Sequence, residues 1–225
     1  MELNESTLSV LKNFSGINSN IVIEEGNVLK TISEAKNILA TATLDDISFS
    51  KKFGVYDLNQ FLGVLGLVDK PNLKFEDDFV IISDTTGRSK VKYFYSDIEM
   101  LTTPTKSVTM PEADVTFNLD EDTFNKIKRA AGALDHNELV VSPGGGDSVT
   151  LTVTSGEKGA TANNFSIDVP GTSTLNKYSF VFNIPNLKMM AGNYEVSIST
   201  KLISSFKQAN VEYWIALEKS STYGD

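Results

Sequence analysis

The chain contains no cysteine, one histidine and one tryptophan in 225 residues. Without cysteine there are no disulfides, thiol nucleophiles or thiolate metal sites, and the composition fits a reducing compartment. With His136 the sole histidine and no Walker-type or nucleophile-elbow motif, the residues assemble no catalytic centre, so no enzyme is expected. No apolar run approaches the roughly 18 residues that cross a bilayer. The polar start MELNEST has neither a basic nor an apolar leader segment, so the expected location is the cytoplasm and no membrane partner is expected. Cations are also in the minority, with 20 Lys and Arg against 29 Asp and Glu and a net charge of −9. That balance disfavours a phosphate backbone as partner unless the cations are concentrated on one surface.

What is present reads as a packed globular chain, with 40% hydrophobic and 22% charged residues. Ser6 or Thr7 caps a predicted helix that carries Leu8, Leu11 and Phe14 on one face and ends at Gly16. Runs at 21–24, 28–33 and 38–44 read as an antiparallel meander, and those at 73–75, 79–83 and 91–95 as a second one. Between them, Asp57 opens a helix with Leu58, Phe61, Leu62 and Leu65 on one face and Asn59, Gln60 and Gly63 on the other.

The segment Leu101 to Asp114, LTTPTKSVTMPEAD, has no hydrophobic period and holds two of the six prolines. It places a linker at 104–113 between domains 1–103 and 114–225. The second domain repeats the order of the first: strand 115–118, a helix over 120–134, strands to Val169, a strand and short helix around Val181 to Met190, and strands to Leu217. VYDLNQFLGVLGLV (Val55 to Val68) and VFNIPNLKMM (Val181 to Met190) are the corresponding strand-and-helix units. The fold class is therefore α+β with sheet dominant, two similar domains each contributing two helices. The Pro143 to Asp147 run lacks the Lys-Ser/Thr and the helix of a phosphate loop and reads as a hairpin turn. Asp45-Asp46 and Asp77-Asp78 lack the spaced oxygen ligands of a calcium loop, so neither a metal nor a cofactor is expected.

This order of elements, with the segments LKNFSGIN (Leu11 to Asn18), VYDLNQFLGVLGLV, NIPNLKMMAGNYEVSI (Asn183 to Ile198) and YWIALEKSST (Tyr213 to Thr222), resembles the DNA polymerase sliding clamps, or processivity factors, of large tailed phages. The central region from Pro71 to Met110 and the loops from Pro143 to Gly171 match that family only in pattern. The resemblance implies a clamp fold and a homotrimeric ring around double-stranded DNA, held without regard to sequence. It implies no chemistry of its own, an ATP-driven clamp loader, and docking of DNA polymerase and late-transcription factors. By position it also implies an apolar pocket for partner peptides between the domains, framed by Val108, Met110, Tyr213 and Trp214; for Trp214 a plain core role is an equal reading.

A sliding ring has to attract phosphates without reading bases, which calls for Lys and Arg on helix poles opposite the core stripe. On the 120–134 helix the stripe Phe124, Ile127, Ala131, Leu134 puts Lys126 and Arg129 near the opposite pole and Lys128 on the flank. Lys12 on the first helix and Lys188 on the fourth complete the DNA-facing set, while the second helix is neutral and leaves the field patchy. Acidic residues gather instead at Asp45-Asp46, Glu76 to Asp78 and Asp120 to Asp122. Such a rim would repel DNA from the outside, although at 120–122 the carboxylates also serve to cap the helix. The competing class is a structural or adhesive β-rich virion protein, which predicts neither a DNA response nor a peptide pocket.

Overall fold

A computed structural model describes residues 1–156 and 163–224; part of the Pro143 to Gly171 stretch thus lies outside the described residues. The chain divides into two compact units, Met1–Ser107 and Val108–Asp225. The division falls inside the predicted linker, where residues 102–113 carry neither helix nor strand.

In the first unit, α1 (Glu5–Ser15) starts two or three residues earlier than the sequence suggests. Asn4, not Ser6 or Thr7, is the cap, its Oδ1 accepting the Thr7 N–H at 2.8 Å. Thr7 is buried with Val10, Leu11 and Phe14, and Leu8 is half-buried on the edge of that stripe. Strands β1 (Ile21–Ile23), β2 (Val28–Ile32), β3 (Ile38–Thr43) and β4 (Phe53–Val55) follow. The first meander forms only in part. β2 and β3 pair as a hairpin, but β1 pairs antiparallel with β4, Ile21 opposite Val55. The chain leaves β1 through Gly26, which has φ 110° and exchanges backbone hydrogen bonds with Phe49. β2 therefore pairs with β3 and not with β1, and all three β1 residues are buried. Next, α2 (Leu58–Leu65) is capped by Asp57, which accepts the Gln60 N–H, and it buries Leu58, Phe61 and Leu65. The second meander is as expected: β5 (Asn72–Phe75), β6 (Phe79–Ser83) and β7 (Lys90–Phe94) form an antiparallel sheet in that order. α1 and α2 pack against each other.

The second unit holds β8 (Val115–Leu119), α3 (Glu121–Leu134), β9 (Glu138–Pro143), β10 (Ser148–Thr154), β11 (Phe165–Ser173), β12 (Lys177–Asn183), β13 (Tyr194–Ser199), β14 (Ile203–Lys207), β15 (Val211–Ala216) and β16 (Thr222–Gly224). These strands join antiparallel in the order β16-β12-β9-β10-β11-β8-β13-β14-β15. Strict alternation drives the pattern: along β10 every second residue, Val149, Leu151 and Val153, is buried. α3 lies over β10. β11 pairs with β10 as far as Pro170 and with β8 from Gly171 onward. A Cβ at Gly171 would lie 2.9 Å from Phe117 Cβ, so this change of partner needs glycine. The Pro143 to Asp147 run is the β9–β10 hairpin turn, closed by Gly144 N–H to Ser148 O and with Gly146 at φ 65°.

The fourth predicted helix does not form. Only a 3₁₀ turn, Ile184–Asn186, forms there, with Pro185 in its first positions. Beyond it Leu187 and Met189 are buried while Lys188 between them is exposed, a burial period of two that no helix carries. The two units are therefore not matched in helices: the first has α1 and α2, the second α3 and this turn.

Candidate nucleic-acid interface

α3 carries three of the five cations expected to face DNA, Lys126, Lys128 and Arg129. Asp120 caps it, its Oδ1 accepting the Thr123 N–H at 2.7 Å. Bonds from the Thr123 N–H and hydroxyl hold the Asp120 carboxyl below the usual aspartate range. Because the folded-state pKa is depressed, the cap stabilises fully above the unfolded value and is lost as pH falls through the folded one. Asp120→Ala should therefore cost about 1 kcal/mol at neutral pH. Thermal unfolding of both proteins across an acid titration should show that gap closing as Asp120 protonates.

The helix turns Thr123, Phe124, Ile127 and Ala131 inward, with Leu134 half-buried at the end. It stops at Asp135, left-handed at φ 55°, and His136 follows in the turn with its N–H on Ala131 O. Lys126, Lys128 and Arg129 are all exposed, but they differ in state. Lys126 Nζ pairs with Asp122 Oδ2 at 2.6 Å, one helical turn back. Lys128 Nζ sits 3.9 Å from the centroid of the Phe124 ring, and the partial loss of water lowers its pKa. Among the described residues no ion pair or hydrogen bond engages the Arg129 side chain, which leaves its guanidinium open for a phosphate.

In the first unit Lys12 is exposed on α1, beside a cleft of about 560 Å³ lined by Leu8, Leu62, Gly63 and Leu65. The exposed residues of α2 are Asn59, Gln60 and Gly63, so the α1–α2 surface offers a single cation. Lys188 is exposed but lies in the stretch without regular structure after the 3₁₀ turn, not on a helix.

Of the four pocket candidates, Val108 and Met110 are half-buried in the stretch without regular structure. Tyr213 is fully buried: its hydroxyl accepts the Met190 N–H, its ring meets Tyr194 edge-on, and burial pushes its pKa up to about 12. Trp214, its neighbour on β15, points to the opposite face and is half-buried. Tyr213 and Trp214 therefore do not share one surface. The indole Nε1 is buried and has no hydrogen-bond partner among the described residues.

Residues 116–219 match the family described as gp45 sliding clamp, C terminal, and residues 4–100 match the DNA polymerase processivity factor family. A sliding clamp of Vibrio phage KVP40 is 32% identical, the alignment covering 97% of this chain and 99% of its relative. The chain belongs to the sliding clamp family. Sliding clamps of Escherichia phage RB69 and Enterobacteria phage T4 are 30% and 28% identical, each over 99% of both chains. Its function is that of a DNA polymerase processivity clamp, in a family of scaffolds without chemistry. The virion-protein reading is set aside by these matches. The α+β class with antiparallel sheets is that of the clamp fold. Among the described residues of this clamp, no helix is long and apolar enough to cross a membrane.

Sequence reasoning located the cations of α3 from their spacing. Two things escaped it, the pairing of Lys126 and the stacking of Lys128. The first had a visible signal, Asp122 four residues before Lys126.

Proposed function

We propose that three copies of this chain close into a ring around duplex DNA, with Lys126, Lys128 and Arg129 of α3 supplying most of the field and Lys12 and Lys188 a smaller part. The carrying observation is the concentration of three cations on the exposed face of one helix in a chain of net charge −9. Contacts of this kind go to phosphate and carry no base information, as sliding requires. In this reading the clamp performs no reaction. It works in the host cytoplasm, an ATP-driven loader opens and closes it, and polymerase and late-transcription factors dock on an apolar surface to which Val108, Met110 and Trp214 contribute.

Light scattering after size exclusion over a dilution series tests the assembly. The subunit is 24.6 kDa, so a trimer has three times that mass, about 74 kDa. A trimer that dissociates on dilution supports the ring; a monomer at every concentration, with or without loader and DNA, overturns it.

The ion pair on α3 allows a finer test. Removing the carboxylate in Asp122→Asn frees Lys126 for phosphate and deletes a nearby negative charge. Stability should change by only about 0.5 kcal/mol, since the pair is exposed. Retention on nicked circular DNA should rise several-fold, and its dependence on salt should steepen by roughly one phosphate contact per subunit.

A further inference from the structure

One face of the sheet β5-β6-β7 groups aromatic residues with cations. Phe79 and Phe94 stand opposite each other across β6 and β7, ring centroids 5.7 Å apart. The antiparallel bridge between Gly54 and Ser96 brings the segment carrying Tyr56 alongside the one carrying Phe94. Tyr56 and Phe94 are 65% and 60% exposed, among the most exposed large hydrophobic residues. The next rows of the same face are cationic: Lys92 and Lys74 flank Ile81, and Lys90 lies opposite Ser83. Lys92 Nζ rests 3.7 Å from the Phe79 centroid and 4.7 Å from that of Phe94.

Isolated apolar residues on a surface need no explanation, but aromatic residues grouped beside several cations mark an interaction site. The charges select the occupant. Lys90 and Lys92 have no carboxylate partner among the described residues, whereas Lys74 is paired with Glu76 at 2.7 Å. Two open ammonium groups suit a ligand with a few carboxylates. A continuous run of phosphates crossing the aromatic row would instead meet the exposed Asp77 and Asp78, in the turn that leads into Phe79.

We propose that this face docks an acidic peptide segment of a partner protein, its aromatic or aliphatic side chain lying on Tyr56 and Phe94 and its carboxylates on Lys90 and Lys92. On binding, Lys92 exchanges its contact with the two rings for a carboxylate, and the rings it covered receive the apolar side chain. The site goes beyond the DNA-encircling role and does not depend on it. Pairing of copies through strand edges uses backbone groups in the plane of a sheet and leaves such a face open.

The test is selection of a random displayed-peptide library on the intact protein, after depletion on a K92E/F94S double variant. Enriched peptides should combine two or more Asp or Glu with Phe, Trp or Leu. A resynthesised winner should lose at least ~10-fold in affinity on either Lys92→Glu or Phe94→Ser, and should weaken as salt rises. Both side chains are exposed, so unfolding midpoints should stay at the wild-type value; if Lys92→Glu disturbs the sheet, Lys90→Glu tests the same charge one row away. No enrichment, or enrichment without acidic bias, overturns the proposal. So does binding of labelled oligothymidylate that the same variants abolish, since that would make the face a single-strand platform. Failure of the ring would show instead as loss of the trimer mass, with this peptide binding unaffected.

Discussion

Charge reversal at both Lys126 and Arg129, to Glu in each subunit, should shorten the DNA made per polymerase binding event by ~10-fold or more, because each position turns an attraction for phosphate into a repulsion. The solution mass should stay that of wild type, since both side chains are exposed on α3 and outside its buried stripe. The two positions should not contribute equally. Among the described residues the Arg129 guanidinium has no partner, while Lys126 is paired with Asp122, so Arg129→Glu alone should account for the larger share. Primer extension on a singly primed circle, with a competitor that traps released polymerase, reads the effect directly. Wild-type product length in the double variant would remove α3 from the DNA-facing surface and with it the main support for the ring's polarity.

Phe124→Ala should have the largest effect on stability, about 3–5 kcal/mol. The ring is 1% exposed beneath α3, so truncation leaves a cavity as well as losing apolar burial. It also removes the surface on which the Lys128 ammonium rests, so one change loosens the helix and releases one of its cations. Denaturant unfolding should show a midpoint shift at unchanged slope if α3 stays folded, and a reduced slope if the helix detaches from β10 before the rest unfolds. Phe124→Leu keeps most of the volume and should cost far less, which separates the packing term from the loss of the aromatic ring.

Both results depend on features of α3 that differ in how easily they are read from the chain. The stripe Phe124, Ile127, Ala131 and the cap at Asp120 are set by residues within a few positions of one another, and they stand in the structure as the spacing predicts. The same holds for α2 with its Asp57 cap, for the β5-β6-β7 meander and for the β9–β10 turn. The helix expected near Pro185 had a start signal but no apolar stripe of helical period: Leu187 and Met189 alternate with Lys188, and burial of those two side chains overrode the local propensity. The meander assigned to 21–44 failed at β1 for a related reason. Adjacent strands in sequence pair by default, but Gly26 turned the chain aside and β4, some thirty positions away, supplied the partner.

The fold class, the helices with a continuous apolar stripe and the cations of α3 are legible in the chain, because each is a matter of composition or of spacing within a few residues. Tertiary structure alone decided which strands pair, that Tyr213 is buried while Trp214 faces the other way, and which cations stay open. Lys128 lies on Phe124, Lys92 lies between Phe79 and Phe94, and Arg129 has no ion pair or hydrogen bond among the described residues. A strand pair or a cation's partner is set by which distant surfaces meet, and the free energy of that meeting depends on burial and distance, which exist only once the chain has folded.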